Sequence, residues 1–296
     1  MRDWEENFIM KRLVLMLFVL CMMFSTTVAA EEDYNWIEGG QPVDLGGIAT
    51  VDLDPEFIFL DAENTKKMSM DYGDPVSGLE VGSIFPTDEN ATWAVFFDYE
   101  ESGHIKDAEK EKIDAKALLK SYKEGTEEAN KERQPGDRFY VTGWDIKPFY
   151  EEKTHNLTWS MLLEDENKET FLNYNTRILT REGNISVILV TDPQNREADK
   201  KLLDEKILSK FKVNDGKKYE DFDKSTDKVA DYGLTGLILG GAGLAVAKKA
   251  GILAVILAFG KKFGIIAVAG IAALFGFIRK KKRNNQSTGS DDSLNQ

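Results

Sequence analysis

Cysteine is almost missing from these 296 residues: the only one, Cys21, sits in an apolar stretch near the start. If that stretch is a cleaved leader, the mature chain forms no disulfide, presents no thiol nucleophile and offers a metal no thiolate, so its core alone holds it together. Histidine is nearly as scarce. His104 and His155 lie far apart in sequence, and neither has a second histidine or clustered carboxylates at ligand spacing. No metal site is expected, and both read as solvated turn residues. There is no Gly-x-Ser-x-Gly and no Ser/His/Asp set in a strand-turn-helix setting. Gly240-Gly241-Ala242-Gly243 has neither the following Gly-Lys-Ser/Thr nor the preceding strand of a phosphate loop. No cofactor is expected.

Positive charge is short as well. Between Glu31 and Gly233 there are 26 basic against 46 acidic residues, a net charge of −20. That excludes nucleic acid, which needs a basic footprint, and opposes lying flat on anionic lipid. Carboxylate pairs such as Glu100/Glu101 and Glu164/Asp165 are too abundant to mark a catalytic dyad, which needs environments that separate two pKa values.

The ends hold the strongest patterns. Lys11-Arg12, the apolar run Leu13 to Phe24 and the small exit Val28-Ala29-Ala30 form a signal peptide over 1–30, with Met1 or Met10 as the start. Residues 234–283 form an anchor region of three apolar runs, split by Lys248-Lys249 and Lys261-Lys262 and closed by Arg279 to Arg283. A bilayer needs about 20 apolar residues in a helix. The main span is placed at about 260–278, with lysines snorkelling to one interface and the basic cluster holding the polar tail 284–296 on the cytoplasmic side. Gly236 and Gly240 form a GxxxG that lets helix backbones approach.

Between these ends, 31–233 reads as an exported α+β domain. Strands are predicted at Ala49 to Leu53, Phe57 to Leu60, Trp93 to Tyr99, Arg138 to Ile146, Asn156 to Leu163, Thr170 to Thr180 and Asn184 to Val190, most from period-two alternation. Asp61 caps a helix to Met70. Leu118, Tyr122, Gly125 and Ala129 share a face of a helix over 114–132. A last helix opens at Asp192-Pro193 and runs to about Lys210, with Ala198, Leu202, Ile207 and Phe211 inward. One antiparallel sheet with packed helices is the natural assembly, followed by a C-terminal transmembrane helix.

Asn173-Tyr174-Asn175-Thr176-Arg177 is the unusual stretch. Asn173, Asn175 and Arg177 lie on one side of a strand and Tyr174 and Thr176 on the other, so either face can present donors to a ligand. Together with the block Trp93 to Asp107, Glu124 to Asn130, Gly143-Trp144 and Lys228 to Gly233, this stretch resembles a bacterial family called domain of unknown function 2167. The resemblance implies a membrane-anchored protein and brings no catalytic residues. Leu208-Ser209-Lys210-Phe211, at the end of the last helix, resembles an element of the PsbP-like sandwich, an analogy of fold only.

The expectation is thus an uncharacterised bacterial membrane protein. Its extracytoplasmic domain serves non-enzymatic binding or assembly, with an envelope protein, a ligand or a second copy as partner. Two alternatives stand beside it: an envelope enzyme using the polar cluster Asn173 to Arg177, and a membrane subunit that oligomerises through Gly236 and Gly240.

Overall fold

Period-two alternation builds most of this fold. The structure is a computed structural model of the chain and describes residues 34–72, 76–88, 90–131, 133–136 and 138–239. The chain divides into units 1–34 and 35–296, and every element below belongs to the second. One antiparallel sheet comprises β1 (Ile37–Glu38), β4 (Phe57–Asp61), β5 (Glu80–Pro86), β6 (Ala94–Glu100), β7 (Phe139–Glu151), β8 (Asn156–Asp165), β9 (Thr170–Leu179) and β10 (Asn184–Thr191). Their order is β1-β4-β5-β6-β10-β9-β8-β7. A second sheet pairs β2 (Pro42–Leu45), β3 (Ala49–Asp52) and β11 (Phe211–Val213), with β3 in the middle.

Alternation sends Val95 and Phe97 of β6 and Val187 and Leu189 of β10 to one face, where they pack with Val51 of the small sheet in the main core. The opposite face meets helices. Asp61 caps α1 (Ala62–Asp71), accepting from the Asn64 N–H at 2.9 Å. Thr65 then joins Ser83 of β5 through hydroxyls 2.9 Å apart. Asp114 caps α2 (Ala115–Asn130), whose Ala115 carbonyl accepts from Trp144 Nε1 at 2.8 Å. At the other end of α2, the buried Asn130 amide exchanges two hydrogen bonds with the Phe139 backbone, substituting for a strand partner.

The helix after β10 departs from expectation. α3 is Arg196–Leu202, and Pro193 lies in the turn before it rather than in its first turn. A five-residue π turn, Leu203–Ile207, and a short 3-10 turn, Leu208–Lys210, follow. Of the residues expected inward, Ile207 is buried and Leu202 and Phe211 pack against the core, while Ala198 is exposed and Asp199 and Leu203 are buried in addition. Asp199 is accommodated by the Thr191 hydroxyl, which donates to its carboxylate. Strands β1, β2, β5 and β11 are not among the sequence-predicted ones. β5 has a register shift between Glu80 and Gly82, near its start, which breaks its alternation.

α4 (Leu234–Ile238) carries the first turn of the expected anchor. It packs on the α+β domain: the Tyr122 hydroxyl donates to the Ile238 carbonyl, and Thr235 N–H donates to Glu109 at 3.2 Å. Among the described residues no helix is long and apolar enough to cross a membrane. The expected span at 260–278, the leader 1–30 and the tail 284–296 lie outside the described residues.

Candidate functional site

The register of β9 decides where the predicted ligand residues go. Asn173, Asn175 and Arg177 stand opposite Met161, Trp159 and Leu157 of β8, and opposite Val190, Ile188 and Ser186 of β10. Asn173 and Asn175 are buried on the helix-facing side, where Asn175 Nδ2 donates to Asn173 Oδ1. Tyr174 and Thr176 are buried on the other side, with Lys200 Nζ 5.6 Å from the centre of the Tyr174 ring. Neither face of β9 is an open polar surface, because both are covered by a second layer of structure. Arg177 alone of the four candidates is partly exposed.

Arg177 lies with its guanidinium carbon 5.0 Å from the Trp159 ring centroid, a cation–π arrangement. Its Nη1 is buried without a hydrogen-bond partner among the described residues, and so is Trp159 Nε1. Ser186 pairs with Asp98 on one side and Arg177 on the other, so the acid and the base flank a small residue. Burial drives the Asp98 carboxyl up to about 6, overcoming the opposing pull of Arg177, while Glu80 adds a push in the same direction. Burial likewise lowers the Arg177 pKa against the opposing fields of Tyr122, Asp98, Glu100 and Tyr232. Tyr122 is therefore shared: it faces Arg177 and holds α4. Gly236 is buried within α4, and Gly240 lies outside the described residues.

The histidines correct the expectation of isolated, solvated turns. His104 is buried, stacked between Tyr219 (centroids 4.3 Å apart) and Phe222 (3.9 Å). His155 lies on Tyr219 as well, at 4.4 Å, and its Nδ1 is 3.0 Å from the Tyr150 hydroxyl. The chain's two histidines thus meet through one tyrosine. Nothing local signals this, because Tyr219 falls in a charged loop whose position depends on distant contacts. Arg181 fixes that loop with two bonds to the Asp227 carboxylate, at 2.7 and 2.8 Å, and Lys217 pairs with Glu182 at 2.7 Å. His104 is threaded beside it by bonds to the Lys228 carbonyl (2.8 Å) and from the Ala230 N–H (2.9 Å). Burial holds the His104 pKa below its ordinary value and pushes the Tyr219 hydroxyl up to about 12. Among the described residues no group of three His, Cys, Asp or Glu side chains is placed to hold a metal ion.

Beside Tyr219 opens a cleft of about 400 Å³, lined from one side by Lys153, Thr154 and His155 and from the other by Lys212, Lys218 and Tyr219.

No curated protein matches the chain. Among solved structures it is similar to cyanobacterial PsbP (CyanoP) from Synechocystis sp. PCC 6803, at 14% identity over 60% of this chain and 91% of that one, with a TM-score of 0.35. It is also similar to the Ran-binding protein Mog1p of Saccharomyces cerevisiae, at 13% identity over 64% of this chain and 99% of that one, with a TM-score of 0.32. The family described as "Protein of unknown function (DUF2167)" matches residues 38–272, and the chain belongs to it.

Proposed function

We propose that this member of the DUF2167 family is an exported, membrane-tethered domain that binds a partner or ligand without transforming it, and that Arg177 makes the decisive contact. The supporting observation is the guanidinium laid on Trp159 with Nη1 buried and lacking an acceptor among the described residues. Removing such a group from water costs several kcal/mol unless hydrogen bonds replace the water. An incoming carbonyl or carboxylate would complete it. Asn173, Tyr174 and Asn175 then act beneath the contact, bracing the strand that carries Arg177.

The leader 1–30 and the anchor 234–283 support a place at the outer face of a bacterial cytoplasmic membrane, with the C-terminus inside. Crosslinking the full-length chain in its native membrane and identifying what accompanies it tests this reading. A stoichiometric envelope partner, or a second copy, should be recovered with the native chain and at least tenfold less with Arg177→Ala. Equal recovery with both would defeat it.

A second reading is an envelope enzyme working through the same cluster. It is favoured by Asp98, whose carboxyl at about 6 stands near the pH where an acid–base group is most effective. Turnover by the full-length chain that disappears in Asp98→Asn would place this reading ahead of simple binding.

A further inference from the structure

We propose that the cleft between the β7–β8 turn and the segment 212–220 is a second, separate site, built to hold a phosphate-type oxyanion. It shares no residue with the Arg177 cluster and does not depend on the reading given for that cluster.

Charge is the first argument. Lys153, Lys212 and Lys218 line the cleft with His155, against the carboxylates Asp215 and Glu220. Lys218 is paired with Asp215 at 3.1 Å. Lys153 and Lys212 join none of the ion pairs found among the described residues, whereas neighbouring Lys206, Lys210 and Lys217 each pair with an acid. With Lys218 and Asp215 paired, Lys153 and Lys212 leave one positive charge in excess over Glu220 at this opening, in a region of net charge −20, and that excess attracts an anion.

Construction is the second. Lys153, Thr154 and His155 occupy the tight turn between the paired residues Glu151 and Asn156. His155 sits at φ 54°, the left-handed region a non-glycine residue rarely adopts. That conformation, the Tyr150 hydroxyl at Nδ1 and the Tyr219 ring together fix the imidazole. Behind it the floor is rigid: Tyr219 donates to the Ile105 carbonyl at 2.9 Å and has His104 stacked against it. The loop carrying Lys218 and Tyr219 is held by the Arg181–Asp227 and Lys217–Glu182 pairs. A preformed cleft of this size suits a small ligand, since little conformational freedom remains to be lost on binding.

The oxyanion has two possible sources, a soluble phosphate ester and the headgroup of an anionic lipid. The test uses the full-length chain in neutral detergent and follows its two histidines by their imidazole C–H resonances. Inorganic phosphate is titrated against sodium chloride at equal ionic strength. Phosphate, and not chloride, should displace the His155 signal saturably, and Lys153→Ala with Lys212→Ala should weaken the effect at least tenfold. The ring-shifted His104 signal reports that the stack is intact in the variant. Unchanged affinity in that variant overturns the proposal, as does an equal response to chloride. Nanodiscs of phosphatidylglycerol and of phosphatidylcholine separate the sources. Displacement in phosphatidylglycerol discs without added phosphate assigns the lipid headgroup, and displacement by free phosphate alone assigns a soluble ester. Silence in every arm overturns the site.

Discussion

Asp98 shows how a single residue reports on its surroundings. Its ordinary carboxyl would titrate near pH 4, but burial raises it to about 6 in the folded chain. The folded state therefore holds a proton that the unfolded state releases. Stability from this group is fully present below about pH 4, falls as pH rises through 6, and is level above that. The loss is at most about 3 kcal/mol, an upper limit because part of the side chain reaches solvent. Urea denaturation of the native chain and Asp98→Asn from pH 4 to 8 should give a difference that grows over this window, with the variant the more stable at neutral pH. A difference independent of pH would contradict the burial. Sequence singled out Arg177 but not Asp98, for a physical reason. The alternation Trp93, Val95, Phe97, Tyr99 shows which face of β6 is apolar, yet only the pairing through Ser186 shows that Asp98 shares a face with Arg177.

At the scale of elements, the legible ones carry their own punctuation. Asp61 and Asp114 mark two helix starts because a carboxylate satisfies free N–H groups at that position. Asp61→Ala should cost about 1 kcal/mol in thermal or urea unfolding; no loss would mean the Asn64 bond is not formed in solution. Gly183 closes the β9–β10 hairpin where a Cβ would overlap the Glu100 carbonyl. Gly183→Ala should therefore cost about 1–3 kcal/mol, as overpacking does, measured in the same way. The helix after β10 was less legible. Its period is broken by a π turn: the repeat places Ile207 inward correctly, but not Leu203, the other residue that fills the core. Ile207→Ala should cost about 2–5 kcal/mol, whereas Ala198→Ser, on the exposed side, should change stability by less than about 0.5 kcal/mol.

The whole molecule holds what sequence could not order. Seven strands are placed from the sequence, but not the pairing of β6 with β10, nor that β3 and β4, adjacent in the chain, enter different sheets. Those long-range pairings bring His104 and His155 to Tyr219, and they set Arg177 beneath Tyr122, which in turn grips the start of the apolar tail. The face that carries Arg177 and the start of the apolar tail are thereby joined in one packed unit through Tyr122.

Export of this unit is the claim on which the account rests, and cysteine chemistry tests it most directly. Cys21 falls within the expected leader, so its removal would leave the mature chain without a thiol. Met70, 57% exposed at the end of α1, can be replaced by cysteine without disturbing the core. Intact cells producing Met70→Cys should be labelled by a membrane-impermeant maleimide to the same extent as lysed cells, with the labelled chain in the membrane fraction. Labelling that appears only after lysis would contradict the account and leave the domain on the cytoplasmic side.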